Sequence, residues 1–240
     1  MKLVTKTILG AGLVCVLIAA ASVVALQIVN HNKNNQNESV SSVSTISPEN
    51  ITTVSSVVDT TIDLSDSQAL AEQGDYITLV HIDSLDGANN YSEISQQYVL
   101  PYTFGHMTVV GNYKGELTVG KSYKFYRLGG ILPAEQYYKG SLSAEVNAKR
   151  QEMQATNGES DAEKYVRDLA AGDIEIEAGK TYLAYLVPEM AYYAEPDTYA
   201  IIGYQGGLRE ARQMDGVWQV LNNFTGEWED LRLVLGELSF

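Results

Sequence analysis

Residues 8–29, ILGAGLVCVLIAAASVVALQIV, form an apolar run broken only by Ser22 and Gln27. A run this long cannot lie on the solvated surface of a globular domain. At about 1.5 Å per residue, a helix of that length crosses a hydrocarbon core of roughly 30 Å. A cleaved signal peptide has a shorter apolar region before a small-residue site. Ala19-Ala20-Ala21 offers such a site, yet the run continues past it to Val29. In GLVC, Gly12 departs from the pattern that would make Cys15 a lipid anchor. Residues 1–30 therefore read as an uncleaved signal anchor and transmembrane helix, a cleaved peptide being the alternative. Lys2 and Lys6 precede the run and only Lys33 follows it closely. The positive-inside rule then keeps the N-terminus cytoplasmic and places the rest of the chain outside, as a single-pass protein of the cell membrane.

Charge and cysteine use sharpen that compartment. The first thirty residues hold two lysines and no acid, so the exterior part carries 30 acidic against 14 basic side chains. An excess of that size repels nucleic acid and anionic lipid head groups, so a nucleic-acid partner is disfavoured. The single cysteine, Cys15, lies inside the apolar run, which leaves the exterior domain without an internal disulfide. Small animal ectodomains usually lean on disulfides. The sequons at Asn37, Asn50, Asn90 and Asn223 carry little weight in a chain this rich in Asn, Ser and Thr. A Gram-positive cell-surface protein is the expectation.

Residues 31–60 are dominated by Asn, Ser and Thr with no periodic apolar face, and read as a disordered stalk. Residues 61–240 have the size of one domain with a single core. Strands are expected over DYITLVHI (75–82), YVLPYTFGHMTVVGNY (98–113, with bends or bulges at Pro101 and Gly105), SYKFYRL (122–128), TYLAYLVP (181–188) and TYAIIGY (198–204). TYLAYLVP, apolar at nearly every position, reads as a strand buried on both faces. REARQMDGVWQVL (209–221) reads as a hairpin turning at Asp215-Gly216. Residues 143–156 are rich in helix formers but weakly apolar, which predicts a solvated helix. A second helix is expected in SDAEKYVRDLAAGD, with Ser160 and Glu163 as a capping box and Gly172 at its end. The tail places Trp228, Leu231, Leu235 and Leu238 at helical spacing, while a closing strand over 231–235 is the alternative. The expected fold is mainly β with helical insertions: a small, strongly bent, antiparallel, OB-like barrel with a helical insertion at about 134–172.

One stretch tests any functional reading. GELTVGKS (115–122) matches G-x-x-x-x-G-K-[ST], the phosphate-cradling P-loop. A working P-loop opens a helix whose N-terminal amides hold the phosphates. The residues after Ser122 read instead as a strand, and the end of the motif recurs as GKSYKFY (120–126) and GKTYLAY (179–185). The second copy has Ile174 where the first glycine would fall, so the shared part reads as a Gly-Lys turn opening a strand, and no nucleotide is expected.

The segment YKGELTVGKSYKFYRLGG, followed by Gly179-Tyr182-Leu183-Leu186 and Ile202-Gly203-Gly206, resembles a pattern found in uncharacterised extracytoplasmic β-barrel proteins of Gram-positive bacteria. The resemblance spans roughly residues 74–221. It implies a barrel, and it implies no established activity and no catalytic residues.

Other candidates are weaker. His81, with Asp83 and Asp86 nearby, permits a metal or general-base pair, but no second histidine falls at ligand spacing. Asp86, Gly87 and Glu93 match the end of a calcium loop whose early ligands are missing, which leaves Asp83, Asp86 and Glu93 as weak cation candidates in a polar hairpin loop. The pairs Glu175/Glu177 and Glu227/Glu229 have the composition of a glycosidase dyad and the ordinary look of a solvated face. Sixteen tyrosines stand against four phenylalanines, and Tyr137, Tyr138, Tyr192, Tyr193 and Tyr199 are expected in loops, where aromatic platforms bind glycans or peptides. The sequence thus points to a membrane-anchored surface binding or interaction module, held by residues 8–29 and meeting a cell-wall polymer or another surface protein. No cofactor and no catalytic residue is expected. The alternative is an extracellular carboxylate-dependent hydrolase using Asp83 with His81.

Overall fold

The computed structural model describes residues 46–141, 144–158, 164–189 and 196–236. In chain order its elements are strand β1 (Ile51–Ser56), helix α1 (Ser67–Gln73), strands β2 (Tyr76–Ser92), β3 (Gln97–Lys114), β4 (Ser122–Leu128) and β5 (Gly130–Pro133), helices α2 (Ala134–Ser141) and α3 (Ala144–Asn157), strands β6 (Tyr165–Ala170), β7 (Thr181–Pro188) and β8 (Thr198–Ile201), the one-turn helix α4 (Tyr204–Gly207), strands β9 (Leu208–Met214), β10 (Val217–Leu221) and β11 (Trp228–Asp230), and helix α5 (Leu231–Gly236). The described residues are mainly β, with one large sheet and one small one. Among them no helix is long and apolar enough to cross a membrane; the run at 8–29 lies outside the described residues.

The hairpin of β2 and β3 organises the large sheet. Its strands have 17 and 18 residues, about three times the usual length. Five irregularities in their register, beginning at Ile77/Thr78 and ending at Asn89/Tyr91, bend the pair. Bending lets β2 meet β7 on its other edge while β3 meets β4. β8 then runs parallel to β4 and antiparallel to β7, so β7, β2, β3, β4 and β8 form a closed ring. Side chains alternate as the sequence predicts: on β4, Tyr123, Phe125 and Arg127 are buried, while Ser122 and Lys124 are exposed. Ile82, Met107, Phe125, Tyr182 and Leu186 fill one core cluster with Val80, Val109 and Ile201.

β7 is the strand buried on both faces. Tyr182, Ala184 and Leu186 face that first cluster, and Leu183 and Tyr185 face a second one with Leu70, Ile77, Leu79 and Val220. The second cluster exists because β9, β10 and β11 extend the sheet past β7, with α1 and α5 laid over them. The hairpin of β9 and β10 turns at Asp215-Gly216 as expected. α1, which the sequence reading overlooked, is capped by Asp66, whose carboxylate accepts from the amides of Gln68 and Ala69. Its other end is closed by Lys114 Nζ, which donates to the carbonyls of Ala71 (2.6 Å) and Gly74 (2.7 Å). Gly206 lies so close to α1's lead-in that a Cβ would stand 2.0 Å from the Leu64 carbonyl oxygen, which accounts for the late glycine turn.

The small sheet, β1-β6-β5, overturns two expectations. β6 occupies the segment expected to be the second helix, and β1 lies inside the segment expected to be stalk. Tyr165, Val166 and Leu169 suit a helical face, but Val166 is buried against Leu132 and Ala134, and β6 is paired along both edges, by β1 and by β5. Long-range pairing outweighs local helix propensity here. The same pairing orders ITTVSS, which has too few apolar groups to fold alone. Ser160 and Glu163 lie outside the described residues. α3 matches the solvated helix, with no buried residue. In the tail the helical reading holds from Leu231 to Gly236, which overturns the strand expected as its alternative over 231–235; Trp228 falls outside the helix, opening a three-residue strand.

Candidate functional site

Of the tyrosines expected to form a loop platform, the three among the described residues, Tyr137, Tyr138 and Tyr199, are built into secondary structure. Tyr137 and Tyr138 lie on α2, not in a loop, and α2's amphipathic spacing turns Tyr137 into the cluster with Leu132 and Val166. Tyr138 stacks under the Arg150 guanidinium, 4.1 Å from the ring centre. Tyr199, on β8, meets Tyr76 and Tyr123 edge-on at 5.2 and 5.4 Å. Burial first, and then the neighbouring Tyr76 and Asp197, push its hydroxyl up to about 12. Tyr192 and Tyr193 lie outside the described residues.

The acidic candidates also disperse. Asp83, Asp86 and their neighbours are not in a hairpin loop; they belong to β2, which runs on to Ser92, while Glu93 follows in the turn. His81 and Asp83 turn to different partners, Asp83 lying at a register shift between Ile82 and Ser84. Asp83 instead accepts from the hydroxyls of Thr108 (2.8 Å) and Ser122 (3.2 Å). Asp86 meets His106 Nδ1 at 2.7 Å, and His81 Nδ1 lies 3.3 Å from the Thr181 hydroxyl. Neither principal cavity is lined by His81 or Asp83. Among the described residues no three histidines, cysteines or acids are grouped to hold a metal ion. Glu175 and Glu177 are not on a strand and turn to different cations, Arg167 (2.5 Å) and Lys180 (2.8 Å).

GELTVGKS is a turn. β4 begins at Ser122, so no helix N-terminus faces the motif. Its echo at Gly179 is built the same way. Gly120 and Gly179 have φ of 83° and 81°, a left-handed conformation that favours glycine. The next tyrosine in each copy, Tyr123 or Tyr182, accepts at its hydroxyl oxygen from an amide five residues back, Thr118 N (3.0 Å) or Glu177 N (3.1 Å). Lys121 is bonded to Asp197 (2.8 Å), and Lys180 to Glu177 and Glu210.

A larger concavity lies elsewhere, outside the ring, between the lead-in to α1 and the β9–β11 edge with α5. It is an open cleft of about 670 Å³, within the roughly 300–1,000 Å³ range of ligand sites. A second cavity, beside Arg127 and Arg167, has only about 80 Å³. Aromatic and aliphatic groups stand at the cleft in exposed positions: Phe224 is 47% and Leu233 67% exposed, and Trp228 is half-buried. Arg212 stacks on Trp228, 3.9 Å from the ring centre, on the sheet face opposite Val220 and Glu229.

The polar groups of the cleft are pre-ordered. Arg209, on β9, is buried; its Nε donates to the Leu221 carbonyl (3.0 Å) and its Nη2 to Glu229 Oε2. Asn222 Nδ2 donates to Glu229 Oε1 (2.9 Å), while Asn222 Oδ1 accepts from the amides of Phe224 and Thr225. Asn223 donates to the carbonyls of Gln205 (2.6 Å) and Leu208 (2.9 Å), tying the turn to α4. Burial alone would raise the Glu229 carboxyl, but the hydrogen bonds from Asn222 and Arg209, with Arg209's charge, hold it below its ordinary value. No histidine or cysteine lines the cleft, while Asp66, Glu229 and Asp230 do. Sequence reasoning missed the cleft as a whole: LNNFTGEWED was read for Trp228's helical spacing, the Asn223 sequon and the Glu227/Glu229 pair, of which only Glu229 lines the cleft, although two aromatics amid Asn, Gly and acids around a turn are a further signal. Compared with protein-family models, with curated proteins and with solved structures, the chain matches none.

Proposed function

We propose that this chain is a membrane-tethered, extracytoplasmic recognition module whose ligand site is the cleft between α1, β9–β11 and α5. The carrying observation is the cleft itself: ligand-sized, walled by exposed aromatic and aliphatic groups, and floored by a buried arginine held to a pre-ordered carboxylate. Residues 8–29 serve as the anchor, the Asn/Ser/Thr-rich segment ahead of β1 as the spacer, and the closed ring as the scaffold. The ring's strand order and its parallel β4–β8 closure support reading it as an OB-type barrel. The excess of acid in the exterior part fits a cell-wall polymer or another surface protein better than nucleic acid or nucleotide.

Retention on purified Gram-positive cell walls tests this reading, with the full chain in phosphatidylcholine nanodiscs. The wild type is expected to be retained, and Trp228→Ala with Phe224→Ala to be lost to the supernatant at unchanged thermal stability. No retention, or retention indifferent to both substitutions, overturns it.

A further inference from the structure

We propose that the end of the β2–β3 hairpin dips into the headgroup layer of the bilayer that holds residues 8–29, giving the domain a second contact with its membrane. This goes beyond the cleft and rests only on the tether of the proposed function. Tyr91, Ile94, Tyr98 and Leu100 are all exposed at that end, Ile94 by 47% and Leu100 by 63%. Elsewhere among the described residues no ten-residue stretch holds more than two large apolar side chains so exposed. Single apolar side chains on a surface are ordinary, whereas a group at one hairpin end calls for a partner. The same stretch is almost without charge: in residues 89–101 only Glu93 carries one, in a chain with 30 acidic side chains. The charges that α2 brings near it, Lys139 and Glu135, pair with each other (2.9 Å).

The place where the chain enters the domain points to the occupant. Ile51 is in register with Tyr165, and Tyr165 with Pro133, the residue before α2. α2 then lies against the hairpin end. The Gln136 carbonyl accepts from Asn90 Nδ2 (3.1 Å), Gln136 Nε2 donates to Asn89 Oδ1 (2.9 Å), and a Cβ on Gly140 would stand 3.2 Å from Tyr98 Cβ. The lead-in from the anchor and the hairpin end are thus neighbours across α2. Residues 30–50, which separate the apolar run from β1, reach at most about 70 Å even when fully extended.

A protein partner, a second copy included, fits less well. A stable protein interface uses roughly 20–30 residues a side, and this end offers four apolar side chains. A tethered domain needs no tight contact with lipid, because the anchor already supplies a high effective concentration at the surface. Tyrosine suits the headgroup level, with an apolar ring and a polar tip. The end is also ordered before it meets lipid. The Tyr91 and Tyr98 rings meet edge-on at 5.5 Å, the Tyr102 hydroxyl donates to the Tyr91 carbonyl (2.8 Å), and the Ser92 hydroxyl accepts from the Ser95 amide (3.2 Å). A hairpin entering end-on by about 5–10 Å keeps its turn peptides and Glu93 among hydrated headgroups, so no backbone group loses its partners.

The only cysteine, Cys15, lies in the anchor run, which makes a direct test available. Three forms of the full chain each carry one bimane label: the wild type at Cys15, Cys15→Ser with Ile94→Cys, and Cys15→Ser with Phe224→Cys. Ile94 and Phe224 are equally exposed, at 47%. Each form is placed, one chain to a disc, in phosphatidylcholine nanodiscs whose lipids bear a nitroxide near the top of the acyl chain. Quenching is expected at Cys15 and, by roughly twofold or more, at Ile94→Cys, with little at Phe224→Cys. Adding Tyr91→Ser and Leu100→Ser to the Ile94→Cys form should lift most of its quenching at an unchanged melting temperature, since both side chains are exposed. Quenching at Cys15 without quenching at Ile94→Cys would overturn the hairpin contact and leave the tether standing. No quenching at Cys15 would overturn the tether and this inference with it. Equal quenching at Ile94→Cys and Phe224→Cys would mean that the domain meets lipid without a preferred end, which overturns the inference as well. A spectral shift at Ile94→Cys that requires two chains per disc would give the hairpin end to a second copy and overturn the bilayer as its occupant.

Discussion

Two arginines are buried in this fold with carboxylate partners, and their surroundings differ. Arg127, on β4, is 4% exposed and its partner Asp173 is 1% exposed. The pair is sealed between the ring and the small sheet, where Arg127 Nη1 also donates to the Ile174 carbonyl (2.9 Å). Arg209, on β9, is 6% exposed, but its partner Glu229 is 36% exposed and faces the cleft. Both pairs join distant segments. Only the second offers oxygen lone pairs to solvent or a ligand. The contrast separates a structural ion pair from one placed to recognise something, although the residue types are the same.

The largest effect should come from the sealed pair. Arg127→Ala leaves Asp173 charged and buried, which costs about 3–5 kcal/mol, read as a lowered urea midpoint at unchanged slope. Arg209→Ala should cost less, about 1–3 kcal/mol, because water entering the cleft solvates the abandoned Glu229. Its stronger consequence should be on ligand retention, which Arg127→Ala should leave intact below its melting temperature. Equal stability losses at the two sites would break the distinction between sealed and open pairs.

The sequence shows why only part of this was legible. β4 and β7 span the residues their alternating and continuous apolar patterns predict, because a strand's face is a local property. β6 reads as helix because Tyr165, Val166 and Leu169 suit a helical face, whereas its strand state is decided by β1 and β5, which are far away in the chain. Neither arginine's partner can be read locally: Asp173 and Glu229 are brought in by β-pairing between remote segments. The cleft draws on residues near 64–68, 205–209 and 222–234, and no motif spans such gaps. The P-loop match ran the other way, a local pattern complete in letters and empty in structure, since the residues after Ser122 are a strand.

The smallest effect is also the one that separates the pairs by sign. Burial raises the Asp173 carboxyl above its ordinary 3.8, and Arg127's charge and hydrogen bonds only partly offset it. The native state then binds the proton more tightly than the unfolded chain does. As pH falls through the raised folded value, the wild type gains stability relative to Asp173→Asn, and the gain levels off below about 3.9. Glu229 behaves oppositely, because its folded value lies below the ordinary 4.5. Its contribution is complete above the unfolded value and is lost as pH falls through the depressed folded one. Urea unfolding of wild type, Asp173→Asn and Glu229→Gln across the acid range should therefore give difference curves of opposite slope. Parallel slopes would mean that Glu229 is as dry as Asp173, and the cleft would lose the solvent-facing acceptor on which recognition depends.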